Sequence, residues 1–115
     1  MENTNHEYTI GTAQHFLPQI GRVIGCGPVE LAVFKTSDGQ IFAVENKNPH
    51  PKGGPLAEGI VSGHYLYDPL YDWKIDLRSG EVQAPDNGKV ATFPVTVDGD
   101  TVKVTLQGAL IQSQI

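Results

Sequence analysis

Four side chains stand out for what they could bind. Asn48, His50, Asp68 and Tyr71 sit in two proline-bearing runs, "NPH" at 48–50 and "DPLY" at 68–71. An amide carbonyl, an imidazole, a carboxylate and a phenolate make a hard oxygen and nitrogen set suited to Fe(III) or Zn. The same residues have a plainer use. Proline pushes the residue before it out of the helical region, and Asn or Asp there bonds its own local backbone, so both dipeptides initiate turns. On that basis Asn48 and Asp68 form turns, His50 is a loop histidine and Tyr71 packs between loops. Residue types alone leave both uses open.

The elements that must position these loops are strands. "VELAVFKT" (29–36) and "QIFAVEN" (40–46) flank Asp38-Gly39, a dipeptide that accepts the positive φ angles of a hairpin turn. "TFPVTVDGDTVKVTL" (92–106) repeats the device around Asp98-Gly99, with Val95, Val97, Val102 and Val104 alternating so that one face can be buried. Between the hairpins, "HYLYDP" and "WKIDLRSGEVQA" predict two short strands and a turn at Ser79-Gly80. Eight prolines and thirteen glycines leave little room for helix, and only "TAQHFLPQI" (12–20) has space for a helical turn, limited by Pro18. The expected architecture is one all-β domain over 1–115, an antiparallel sandwich or barrel carrying a two-loop subdomain at 46–76 as an excursion.

Composition narrows the function classes. A chain of 115 residues fits one domain and buries a real core without staples. Eight basic against thirteen acidic residues, a net charge of -5, argue against nucleic acid, whose nonspecific binding rests on clustered Lys and Arg. Cys26 is the sole cysteine, which excludes an intramolecular disulfide and a thiolate-only metal site within one chain. The start "MENTNHEYT" lacks the basic end and apolar run of a signal peptide, and no segment approaches the ~20 apolar residues of a membrane span. A soluble cytoplasmic protein with no membrane partner is expected.

The run "NPH…KGGPLAEGIVSGHYLYDPLYDWKIDLRSGEV" resembles the cluster-binding region of Rieske-type proteins. In that family a C-P-H loop and a C-P-x-H loop hold a [2Fe–2S] cluster, two thiolates on one iron and two imidazoles on the other. The likeness includes Gly53, Gly54, Pro55, Leu56, Glu58, Gly59, Pro69, Trp73, Asp76, Leu77 and Gly80 in order, and with the flanking hairpins it spans roughly residues 5–107. Within the superfamily it is similar to the small subunits of assimilatory NAD(P)H-dependent nitrite reductase. That likeness implies a larger partner carrying FAD, an iron–sulfur cluster and sirohaem.

Three of the four ligands are replaced. By the resemblance, Asn48 and Asp68 stand at the cysteine positions and Tyr71 at the second histidine position, while His50 survives. An amide and a carboxylate do not substitute for two thiolates on a ferric ion. Loop length departs too: Pro51 is one residue more than the cluster-bearing small subunits place between their histidine and K-G-G-P-L. By contrast "NKNPHPKGGPLAEG" aligns without a gap to the N-x-D-P-F loop of small subunits that lack a cluster, and "DPLYDW" to their S-P-L segment. So no cofactor is expected in this chain, and the two loops are expected to grip each other.

In that arrangement Pro49, Pro51, Pro55 and Pro69 stiffen the loops, Tyr71 and Trp73 fill space, and His50 lies against Asp68. Trp73 reads as core with Ile75 and Leu77. His50, Lys52 and Asp72 are the candidates for partner contact, being polar and on loops. Cys26 reads as a small buried or turn residue, and His6, His15 and His64 receive no role. Three functions follow: a cluster-free, non-catalytic accessory subunit of nitrite reductase, a Rieske ferredoxin-type electron carrier, or a rebuilt mononuclear metal site.

Overall fold

The computed structural model describes residues 6–106. Ten strands form three antiparallel sheets among them. The first sheet joins β1 (His6–Thr12), β10 (Thr101–Leu106) and β9 (Val95–Asp98), in that order. The second runs β2 (Arg22–Cys26), β3 (Val29–Lys35), β4 (Ile41–Glu45) and β8 (Thr92–Phe93). The third runs β5 (Ile60–Ser62), β6 (Tyr65–Tyr67) and β7 (Lys74–Asp76). The helical turn between 12 and 20 is a single 3-10 turn at Ala13–His15.

The second sheet is the middle layer. Successive strand side chains point to opposite faces. On β3 and β4, Leu31, Val33, Ile41 and Ala43 enter one core with Phe16, Val102, Val104 and Leu106 from the first sheet's side. Ala32, Phe34 and Val44 enter a second core with Leu56, Leu66, Ile75 and Leu77 from the third sheet's side. The unbroken run Leu31-Ala32-Val33-Phe34 is thus buried on both faces, as a strand covered on each side requires.

Both hairpin turns form as expected. Lys35 pairs with Ile41 across the first, where Gly39 has φ 91 and the Thr36 hydroxyl donates to the Asp38 carboxylate. Thr101 pairs with Asp98 across the second, where Gly99 has φ 61. The stretch 92–106 is not one continuous hairpin, however. Thr92 and Phe93 pair with Val44 and Ala43 in the middle sheet, and beyond Pro94 the chain joins the first sheet. Proline has no N–H to continue a ladder, so the strand changes sheets there. Val102 and Val104 are buried, but Val97, on edge strand β9, is exposed.

The turn before β2 is seated against the segment leading to β5. A side chain at Gly21 would place its Cβ 2.0 Å from the carbonyl oxygen of Ala57 and 2.6 Å from a ring carbon of Phe34. Backbone cannot yield as a flexible side chain does. Gly21→Ala is therefore expected to destabilise the fold by about 3 kcal/mol, the upper part of the overpacking range. Urea unfolding at neutral pH measures it, and an unchanged midpoint would show that the two segments are free to separate.

Candidate functional site

The two proline-bearing loops meet at one end of the molecule, each shaped by its own polar side chains. In the first, the backbone N–H of Asn48 donates to the carbonyl of Gly54 at 2.7 Å, closing the loop at its base. Asn48 Oδ1 accepts from the N–H of His50 at 3.0 Å, an Asx turn over Pro49. Pro51 and Lys52 form the next turn, with the N–H of Gly53 donating to the carbonyl of His50 at 2.8 Å. That turn folds the Lys52 N–H back onto His50 Nδ1 at 3.0 Å. Asn46 braces the loop from below, its Oδ1 accepting from the N–H groups of Leu56 at 2.7 Å and Ala57 at 3.0 Å.

The second loop is organised by one carboxylate. Asp68 Oδ1 accepts from the N–H groups of Leu70 at 2.8 Å and Tyr71 at 2.7 Å, and Oδ2 accepts from that of Trp73 at 2.7 Å. The Asp68 N–H donates to the Trp73 carbonyl at 3.0 Å, which closes the loop, and Asp72 is held at φ 60. Burial pushes the pKa of Asp68 up. The N–H groups of Tyr71, Trp73 and Leu70, with the Asn48 amide, together more than offset it, so the pKa lies below the ordinary carboxylate value. Asn48 Nδ2 is a buried donor that meets no acceptor in good hydrogen-bond geometry, so the three backbone N–H groups are the bonds that hold the carboxylate.

The loops do grip each other. The rings of His50 and Tyr71 stack at 3.7 Å between centroids and 10° between planes, and Trp73 tilts against His50 at 4.8 Å. A Cβ on Gly54 would lie 2.8 Å from Leu70 Cδ1, so the Leu70 side chain packs on the first loop's backbone there. A third segment, which the sequence did not flag, closes in from the side: Gly88 lies beside Pro49 and Trp73.

The expected contact of His50 with Asp68 is not made. All the strong donors to the carboxylate come from its own loop, and the imidazole instead faces two aromatic rings. Trp73 is half-buried, packed on the second core with one side turned to His50, and so is both core and site. Among the candidates for partner contact, Lys52 and Asp72 are exposed, while His50 is half-buried in the stack. Cys26 lies in the first core, where burial raises its thiol pKa. Sequence reasoning missed Asn46 and Gly88, whose roles come from chain segments distant in sequence.

Most of the donor atoms that Asn48, His50 and Asp68 offer are already engaged. Both Asp68 oxygens, Asn48 Oδ1 and His50 Nδ1 accept backbone N–H groups. The rings of His50 and Tyr71 lie in nearly parallel planes, stacked face to face rather than turned edge-on to a shared centre. Among the described residues, no three His, Cys, Asp or Glu side chains gather closely enough to hold an ion. With no thiolate among them, the four residues do not fit a cluster bound by two cysteines and two histidines.

The domain is three-layered, antiparallel and all-β, with two facing Pro-bearing loops. The chain belongs to the Rieske-like [2Fe–2S] domain family, which it matches over residues 8–105. Its fold is similar to that of a protein assigned as the NADH-dependent nitrite reductase small subunit of Mycobacterium tuberculosis. The TM-score is 0.81 at 21% identity, over 90% of this chain and 96% of that one. It is also similar to the nitrite reductase [NAD(P)H] small subunit from Erwinia carotovora, with a TM-score of 0.70 at 22% identity, over 87% and 81% of the two chains. The ferredoxin of carbazole 1,9a-dioxygenase from Nocardioides aromaticivorans shares the fold too, with a TM-score of 0.76 at 21% identity, over 85% and 95%. No curated protein sequence matches the chain. No helix among the described residues is long and apolar enough to cross a membrane.

Acid is expected to loosen the second loop. Because the folded-state pKa of Asp68 lies below its ordinary 3.8, its stabilisation is fully present above that value. It is lost as pH falls through the lower folded-state pKa. Asp68→Asn keeps the shape but weakens three charge-assisted hydrogen bonds, costing about 2 kcal/mol at neutral pH. Urea unfolding of both proteins at pH 7 and pH 3 checks this, the gap between them narrowing at pH 3; an undiminished gap would mean that the charge is not what holds the loop.

Proposed function

We propose that this chain is a small, cluster-free accessory subunit of an assimilatory NAD(P)H-dependent nitrite reductase, acting in the cytoplasm and supporting a catalytic large subunit that carries FAD, an iron–sulfur cluster and sirohaem. Residues 1–115 form a single Rieske-like domain in this proposal, and 46–76 is its former cluster-binding subdomain. Asn48, His50, Asp68 and Tyr71 hold no metal and no other cofactor, and no residue of the chain is catalytic. The observation that carries the proposal is the Asp68 carboxylate, whose two oxygens take three backbone N–H groups of its own loop. A loop closed from within needs no iron to close it.

The likeness in fold to a dioxygenase ferredoxin favours a second possibility, an electron carrier. A Rieske carrier requires two thiolates on one iron, and the single cysteine of this chain lies in the core. By the resemblance His50 and Tyr71 stand at the family's imidazole positions, and their rings stack on each other. Support for the accessory role therefore lies in the chemistry of the loops, and support for the partner in the fold likeness to nitrite reductase small subunits.

Two measurements test the proposal. The purified chain is expected to show no visible absorption and no bound iron or acid-labile sulfide after anaerobic purification, yet to form a complex with the purified large subunit. A broad visible spectrum with two irons per chain would make it a carrier, and a single visible band with one iron a rebuilt mononuclear site. Restoring the ligands alone is also expected to fail. The Asn48→Cys, Asp68→Cys, Tyr71→His variant should bind a cluster poorly on reconstitution. Pro51 sets the turn that points His50 Nδ1 at its own loop, while ligation tolerates only about 0.2 Å. Deleting Pro51 in that background should raise the yield; equal, near-stoichiometric reduced-state paramagnetic signals with and without Pro51 would refute the claim about loop shape.

A further inference from the structure

Three of the large apolar side chains left in solvent lie along one seam, away from the loop tips. Leu17 and Ile20 are each 55% exposed, and Ile60 is 70% exposed. Leu17 and Ile20 sit on one turn, closed by the N–H of Ile20 donating to the carbonyl of Leu17 at 3.3 Å. Ile60 opens edge strand β5. A shallow cleft of about 270 Å³ lies between them, lined by Gln19, Ile20 and Gly21 on one wall and by Ala57, Glu58 and Gly59 on the other.

This turn is held in place at a cost. Gln19 has φ 66, a left-handed conformation that disfavours a residue with a Cβ. It is tied there by its N–H donating to the Lys35 carbonyl at 2.7 Å and by its side-chain amide donating to the Val61 carbonyl at 3.3 Å. Gly21, just beyond, is seated against Ala57 without room for a side chain. Strain pinned from both sides, with two large apolar groups displayed in water, is what a preformed contact surface requires and what a folding core does not.

Charge tells what would cover it. The cation that follows the turn and one on the third sheet are engaged elsewhere. Arg22 donates to the His15 carbonyl at 3.2 Å and lies over the Phe16 ring, and Lys74 lies 4.2 Å over the Tyr65 ring. The one ion pair among the described residues joins Arg78 to Asp76. Glu58 stands exposed on the cleft wall and makes no ion pair with any described residue, in a chain of net charge -5. We infer that Leu17, Ile20, Ile60 and Glu58 form a docking surface for a protein partner that inserts an apolar side chain flanked by Lys or Arg, and that this partner is the large subunit. The identity of the partner rests on the proposed function; the surface rests on the seam.

The test is the affinity of the purified large subunit for variants of the full chain, by isothermal titration calorimetry. Ile20→Ser with Ile60→Ser is expected to weaken binding by about tenfold or more, because exposed anchors of this kind carry most of an interface's energy. Glu58→Lys should weaken it independently and abolish its dependence on salt. Both variants alter exposed groups, so their urea midpoints should match wild type. Leu70→Ser, at a loop tip, should bind as wild type does. If instead the loop-tip variant weakens binding while the seam variants do not, the docking surface is overturned and the proposed function stands. A wild-type chain that does not bind the large subunit overturns both. A dimer of the chain alone that Ile60→Ser dissociates would make a second copy the occupant and overturn the inference.

Discussion

The arrangement of the loop end depends on the Asp68 carboxylate. Three backbone N–H groups converge on it within five residues, a density of charge-assisted hydrogen bonds that fixes the loop from Asp68 to Trp73 in one shape. That shape directs Tyr71 toward the first loop, where its ring meets His50, and leaves Trp73 between His50 and the second core. The carboxylate is nearly dry, so its charge is strongly felt, and every donor it takes is one that the loop backbone would otherwise leave unpaired.

The platform beneath is the β3–β4 pair. Because Leu31 and Val33 face one core while Ala32 and Phe34 face the other, the two packed interfaces share a single pair of strands. The loops grow directly out of this layer: β4 ends at Glu45, the Asn46 N–H donates to the Glu30 carbonyl at 2.9 Å, and the Asn46 side chain then grips Leu56 and Ala57. The first loop is thereby anchored at both ends to the most buried part of the molecule.

Asn48, His50, Asp68 and Tyr71 pair across the two loops. The Asn48 amide lies on the side of the Asp68 carboxylate and lowers its pKa, and His50 stacks on Tyr71. Dipole against charge and ring against ring hold the two loops of this Rieske-like domain together. The fold by itself does not establish a role, since one fold hosts many functions.

Local chemistry was legible from the residues themselves. Asp38-Gly39 and Asp98-Gly99 marked both hairpin turns, Asn48-Pro49 and Asp68-Pro69 marked the loops, and the isolation of Cys26 excluded a two-thiolate site, because each of these depends on a few neighbouring residues. What stayed hidden depended on distant partners. Pro94 looked like an interruption in a strand and is the point where the chain changes sheets. His50 looked like a partner for the Asp68 charge, but that carboxylate was saturated by its own backbone, so the imidazole went to the aromatic rings instead. Gly88 and Asn46 gave no signal, since a close approach or a bridging amide has meaning only once two remote segments touch. The sequence by itself determined the turns, the loops and the want of a second cysteine, which are properties of residue type and spacing. Only the tertiary structure decided which group each polar side chain satisfies, because hydrogen-bond donors, charges and rings compete for partners in three dimensions.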